Sequence, residues 1–287
     1  MSDITLINDS EQSSLVTNGL AKNGEMYLKK AGSTNAGSIV VYDSGAWKTF
    51  ANEYTSGFIN DYSVDFDGSN DYAAITTATD NIYSLSMWFK PDADVNSASS
   101  PQILFGTVAG SHWVGLGSIS SSFTNEVITV YRGAGGFAYT DNTAAISSSQ
   151  WNHLFISWLS SSTINSGSAG YDIWLNGTQV GNAVGGSVPT APLYFRNDTK
   201  IGTRASNLYY FNGKIDEVAT WTSDVSADVA TIYNSGVPGD LSSLSPAHWW
   251  RMGDDDSGTG TTITDQGSLG DDATLTNGPT FSSDVPS

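Results

Sequence analysis

The chain predicts an all-β fold: an antiparallel sandwich or barrel, with one short helix and a small N-terminal β-hairpin module. Three observations carry this. From residue 58 to about 240, short runs rich in Val, Ile, Tyr, Phe and Trp are separated by Gly, Ser, Asn and Asp turns. Only "SADVATIYNSG", residues 226–236, reads as a helix. Of the 29 acids, 24 are Asp and five are Glu. Asp favours turns because its short side chain bonds nearby backbone N–H groups, whereas Glu favours helices.

Residues 1–57 read as a separate module. "GSIVVYDSGAWKTF" is a hairpin: Ile39 to Tyr42, a turn at Asp43-Ser44-Gly45, then Ala46 to Phe50. "GEMYLKKAG" before it reads as another strand. Two or three short strands bury little by themselves, so this module needs a partner surface for Val40, Val41, Tyr42, Trp47 and Phe50.

The main run follows. "YSVDF" and "YAAI" flank the turn Asp67 to Asp71. "YSLSMWFKP" places Leu85, Met87 and Phe89 on one face, since side chains alternate along a strand. "QILFGTV", "HWVGLG" and "EVITVYRG" come next, then "WNHLFISW", with Leu154, Ile156 and Trp158 on one face. "YDIWLNGTQV" contains Asn176-Gly177, a hairpin signal because both residues tolerate positive φ. "PLYFRN", "TKIGTR" and "GKIDEVATW" end the series. For the helix, Ser226 is the expected N-cap and Gly236 the left-handed stop, with Ala227, Ala230 and Tyr233 as the apolar face.

Composition limits function. The net charge of −18 disfavours nucleic acid and anionic membranes as partners. With no Cys, disulfides, thiol catalysis and thiolate metal sites are excluded. The start, "MSDITLINDSEQSS", lacks the basic and apolar runs of a signal peptide, which leads us to expect synthesis in a cytoplasm without secretory export. No apolar run is long enough to predict membrane insertion.

"WNHLFISW…YDIWLNGTQV" followed by "FNGKIDEVATWTSDVSADVATIYNSG" resembles the laminin-G and pentraxin group of the concanavalin A-like lectin/glucanase superfamily, and "FDGSNDYAAI" matches that group's early hairpin. The resemblance implies a jelly-roll β-sandwich over residues 58–287. Residues 248–284, "HWWRMGDDDSGTGTTITDQGSLGDDATLTNGPTFSSD", resemble a segment that comes before the early hairpin in many members. We therefore expect residues 245–287 to be permuted strands that complete the sandwich.

The catalytic reading is weak, and we expect no enzyme. Related glucanases carry closely spaced Glu and Asp on one strand. The Glu residues here, 11, 25, 53, 126 and 217, form no such cluster. Asp216-Glu217 is the nearest pair, and neighbours on a regular strand point to opposite faces. His112, His153 and His248 are scattered, and His153 reads as a packed core histidine.

Two site readings remain. Asp65, Asp67 and Asp71, and again Asp254, Asp256 and Asp265, offer hard oxygens at loop spacing that suits calcium. Turn formation explains the same residues. The resemblance implies a structural calcium on the strand like "KIDEV", so the expected metal residues are Asp67, Asp71 and Asp216. The pentraxin calcium acids are replaced in "GTRASN" by Arg204, Ala205 and Ser206. For sugar binding, the expected contacts are Trp113, Tyr209 and Tyr210, aromatics placed near loops.

The N-terminal module resembles hairpin modules of tailed-phage fibre and appendage proteins. That implies a structural protein on the exterior of a phage particle: a capsid decoration, fibre or appendage component. Its expected partners are copies of itself in a symmetric oligomer (a trimer among the options), other virion proteins and a cell-surface glycan. The alternative is an exported bacterial lectin or adhesin, and a glycan-cleaving enzyme comes third.

Overall fold

A computed structural model of the chain describes residues 5–8, 10, 26–29, 39–43, 46–49, 58–93, 95, 101–107, 112–117, 128–132, 136–140, 146–158, 171–180, 182–186, 193–194, 197–204 and 206–287. It divides into two compact units, residues 1–59 and 60–287.

In the first unit, β1 (Thr5–Ile7), β2 (Met26–Lys29), β3 (Ile39–Asp43) and β4 (Ala46–Thr49) form a four-stranded sheet in that order. β1 pairs with β2 in parallel, and the other pairs are antiparallel. In the β3–β4 register Tyr42 is opposite Trp47 and Asp43 opposite Ala46; the turn expected at Asp43-Ser44-Gly45 lies, beyond Asp43, outside the described residues.

The second unit is a sandwich. Its strands run β5 (Ser63–Asp67), β6 (Tyr72–Ile75), β7 (Asn81–Ile82), β8 (Ser84–Pro91), β9 (Gln102–Thr107), β10 (His112–Leu116), β11 (Ile128–Arg132), β12 (Gly136–Thr140), β13 (Asn152–Trp158), β14 (Tyr171–Leu175), β15 (Thr178–Val180), β16 (Asn182–Gly186), β17 (Leu193–Tyr194), β18 (Thr199–Ile201) and β19 (Asn212–Trp221). A helical segment and then β20 (His248–Trp250), β21 (Thr262–Ile263), β22 (Ala273–Thr276) and β23 (Thr280–Ser282) follow.

One sheet has nine strands in the order β16-β12-β11-β10-β9-β18-β6-β22-β21. The other has eight: β15-β14-β13-β8-β19-β5-β23 in line, with β20 on β19. A separate pair joins β17 to β7. The C-terminal strands thus enter both sheets, β22 beside β6, β23 beside β5 and β20 beside β19. Between the sheets lies one apolar core, including Phe66, Ile75, Leu85, Met87, Phe89, Phe105, Val114, Val130, Leu154, Ile156 and Ile215, each fully buried. Each such side chain contributes roughly 1.5–3 kcal/mol relative to exposure.

The outer faces differ. β13 is buried at every position and β8 at all but one. Their second face is covered: Tyr233 of the helical segment stacks on Trp88 at 5.8 Å, and Phe155 packs edge-on against Trp174. On the nine-stranded sheet, β6 and β22 alternate buried and open positions, so their outer face meets solvent.

The helical segment departs from expectation. α1 spans only Val229–Tyr233, between single 3-10 turns at Ser226–Asp228 and Asn234–Gly236. Ser226 caps nothing with its side chain; its N–H donates to Asp224 Oδ1 at 2.9 Å, so Asp224 organises the start. The stop is Asn234, left-handed at φ 46°, ahead of Gly236. Val229 and Ile232 are buried while Ala227 and Ala230 are exposed. The sheet below needs volume, which branched side chains supply and alanine does not.

Candidate functional site

The outer face of the nine-stranded sheet carries a row of aromatic and basic residues. In register, Tyr131 of β11 faces Trp113 of β10, Trp113 faces Gly106 of β9, and Gly106 faces Lys200 of β18. Directly opposed residues share a face. Trp113 stacks on Tyr131 at 5.3 Å, and Lys200 Nζ lies 4.5 Å over the ring of Tyr72 on β6. The strand spacing of about 4.8 Å makes this row roughly 19 Å across from β11 to β6.

After β18, residues 202–204 and 206–211 fold back onto this face. They are pinned by backbone bonds: Gly202 N–H to Leu104 O at 2.9 Å, Ile103 N–H to Tyr209 O at 2.9 Å, and Phe211 N–H to Gly202 O at 2.8 Å. Gly106 permits the close approach, since a Cβ there would sit 2.6 Å from Arg204 Cα. At the tip, Leu208 is 48% and Tyr209 43% exposed. Tyr209 is held left-handed at φ 63°, a conformation that costs an aromatic residue roughly 1–2 kcal/mol. The Arg204 guanidinium lies 4.9 Å over the Tyr209 ring. Asn207 accepts a hydrogen bond from Lys200 Nζ, joining the loop to the sheet.

Of the expected sugar contacts, Tyr209 sits at this tip. Tyr210 is half-buried beside it, and burial, together with the nearby Tyr72, raises its phenol above the ordinary value. Trp113 is corrected: it is only 3% exposed. It is the second residue of β10, near the strand's start as expected, but its ring is packed with Tyr131 and not open to solvent.

The expected metal residues are not brought together. Asp67 faces Asn212 across the β5–β19 ladder. Asp216 lies four residues further along β19, about 13 Å at strand rise. Asp67 Oδ1 accepts the N–H groups of Ser69 (2.7 Å) and Asn70 (3.4 Å), which is turn formation. Asp71 Oδ2 accepts the Asp67 N–H at 3.1 Å; its other oxygen is buried without a partner, and burial raises its pKa. The second acidic run is also taken up by the fold. Asp254 accepts from Asp61 N and Tyr62 N, and Asp256 from Thr264 N and Oγ1. Among the described residues, no three His, Asp or Glu side chains are grouped to hold a metal.

Two ionisable clusters escape a reading of the sequence. The first corrects the geometry expected of Asp216-Glu217. β19 bulges here: Asp216 faces Trp88 and Ala219 faces Ser86, leaving two residues opposite Met87. Glu217 takes φ 46°, and its N–H donates to Asp216 Oδ1 at 2.8 Å. Both carboxyls are buried. Asn60 Nδ2 donates to Asp216 at 3.0 Å. Trp249 Nε1 (2.6 Å) and Arg251 Nε (3.1 Å) donate to Glu217. Burial pushes Glu217 up to about 8 against those donors, and burial with the Glu217 charge raises Asp216 well above its ordinary value.

The second cluster centres on His248, fully buried and stacked on Trp250 at 5.2 Å. Its Nδ1 bonds Asp265 Oδ2 at 2.7 Å and its Nε2 bonds Asp80 Oδ1 at 3.0 Å. Burial opposes the charge, yet the two carboxylates raise the imidazole to about 9. His153 has the opposite fate: burial lowers it to about 3, with only the Ser86 hydroxyl on Nε2 at 2.8 Å. These clusters bind strands together and open onto no exposed surface feature described above.

Residues 67–230 match the sequence profile of the concanavalin A-like lectin/glucanases superfamily, and the chain belongs to that family. Among solved structures, it is similar to a candidate carbohydrate-binding protein from Bacteroides ovatus, at 16% identity over 92% of this chain and 71% of that one, with a TM-score of 0.57. Lesser similarity extends to domain 4 of AbnA, a GH43 extracellular arabinanase from Geobacillus stearothermophilus in complex with arabinotriose (16% identity, 71% of this chain, 87% of that one, TM-score 0.37). It extends also to the native heptameric SAP-like pentraxin of Limulus polyphemus (14% identity, 61% and 82%, TM-score 0.37). No curated protein matches the chain. Among the described residues, no helix is long and apolar enough to cross a membrane.

Proposed function

We propose that the chain is a non-enzymatic glycan-binding protein whose site is the loop of residues 202–210 on the outer face of the nine-stranded sheet. The observation that carries this is Tyr209: an exposed aromatic ring held in an unfavourable backbone conformation by three surrounding backbone hydrogen bonds. Strain retained at an exposed position points to function, because selection for stability alone would remove it. A tyrosine ring offers an apolar face for a sugar ring, and Arg204, Asn207 and Lys200 supply polar groups beside it. The neighbour from Bacteroides ovatus, described as a candidate carbohydrate binder, supports the same reading. The test is a glycan array probed with the wild type and Tyr209→Ala. Binding that falls at least about tenfold in the variant, with an unchanged melting temperature, is the expected result. An array without any bound glycan would overturn the proposal.

The N-terminal resemblance supports a component of a phage particle's exterior, with residues 1–57 as the anchor and contact to self or virion proteins. Many copies on one particle would convert weak sugar contacts into avidity. Mass spectrometry of purified particles tests it, and absence of the chain from every particle would favour the exported-lectin alternative.

A further inference from the structure

Resting on the glycan-binding reading, we infer that the loop site takes an acidic glycan, one carrying carboxylate or sulfate groups, with Arg204 as the anion contact. Residues 60–287 hold seven basic residues against 23 acidic ones. Positive charge is scarce there, and most of what the structure describes is neutralised. Lys90 pairs with Asp284 at 2.7 Å, Lys214 with Asp65 at 3.2 Å, and Arg251 with Glu217 at 3.1 Å. Arg204 forms no ion pair among the described residues. Its Nε is buried and without a hydrogen-bond acceptor, and its guanidinium rests over the ring of the exposed Tyr209. A buried donor left unmade is costly. The other guanidinium nitrogens, beside the exposed ring, are the donors an oxyanion can reach.

The geometry suits such a ligand. The guanidinium is a planar fork of donors that matches the paired oxygens of a carboxylate or sulfate. Tyr209 beneath it gives the sugar ring an apolar surface. Lys200 stands on the same face, since both it and the Arg204 backbone flank Gly106. Asp198 lies close enough to Lys200 to raise its pKa against the lowering by burial, so part of that lysine's charge is balanced locally. Arg204 is left as the principal anion contact. In a molecule whose overall field repels anions, one unpaired guanidinium beside an exposed ring selects an acidic sugar by local contact and not by long-range attraction.

The test uses the full chain on an array bearing uronic-acid, sulfated and neutral glycans, at low and high salt, with Arg204→Gln and Arg204→Lys as variants. The expected result is binding confined to acidic members, weakened by salt. Arg204→Gln should lower affinity at least about tenfold and Arg204→Lys should lower it less, since charge remains but the fork is lost. Uronic-acid hits alone would assign a carboxylate ligand, and sulfated hits alone a sulfate. Melting temperatures of both variants control for misfolding. Neutral glycans bound as well as acidic ones, with Arg204→Gln silent, would overturn this inference and leave the glycan reading standing. An array with no hit would remove both.

Discussion

At the scale of single residues, His248 sets the pH response. Its folded pKa of about 9 lies above the ordinary value, so the folded state binds the extra proton. Stability from this group is fully present below pH ~6.5 and is lost as pH rises through about 9. Glu217, raised to about 8, has the same sign: the unfolded chain ionises first, and stability falls as pH climbs past its ordinary value towards 8. We predict a melting temperature that declines from mildly acidic pH to pH 9. His248→Gln should cost about 3–5 kcal/mol at neutral pH, because Asp265 and Asp80 lose their buried cation, and should flatten the alkaline decline. Equal alkaline slopes for the two proteins would show that the imidazolium is not the cause. Calcium is expected to leave the melting temperature unchanged, since Asp67 and Asp216 accept internal hydrogen bonds. A calcium-dependent rise abolished by Asp71→Asn would instead place an ion at that residue's unpartnered oxygen.

At the scale of elements, the turn at Asn176-Gly177 shows how local signals persist. Both residues take positive φ, at 50° and 74°, joining β14 to β15. A Cβ on Gly177 would sit 2.3 Å from the Tyr233 ring. Gly177→Ala should therefore cost about 1–3 kcal/mol, from strain and overpacking together, read as a shift in urea midpoint at constant m-value. The C-terminal strands support a larger prediction. Deleting residues 245–287 removes β20 to β23, uncovers the edge of β5 and one side of β6, and leaves Glu217 without Arg251. The truncated chain should aggregate. A soluble product that melts like full length would show that these strands are dispensable. Legibility in the sequence follows the same logic. Strands with strong β-branched and aromatic runs, such as "SLSMWFKP" and "NHLFISW", are readable because period-two patterning survives burial on both faces. β16, "NAVGG", is not legible, because glycine and alanine carry little strand signal. Tyr209 was reachable as a loop aromatic. Its strain, the Arg204 contact and the bulge at Glu217 depend on pairings between distant strands, which no local pattern encodes.

At the scale of the whole molecule, the chain comprises two units, a sandwich and a sheet of four short strands. We predict that residues 58–287 alone retain glycan binding and their melting temperature. The same fragment should lose oligomer mass and particle incorporation if residues 1–57 are the anchor, as sedimentation and particle proteomics would show. Unchanged incorporation would assign anchoring elsewhere. The central claim is that sugar binds on the outer face of the nine-stranded sheet, at the loop carrying Tyr209. Hydrogen–deuterium exchange of the full chain, with and without its tightest array ligand, tests it most directly. The account predicts slower exchange at residues 103–106 and 202–211, whose backbone bonds hold the loop down. Protection confined to the eight-stranded sheet and α1, with the loop unaffected, would contradict it.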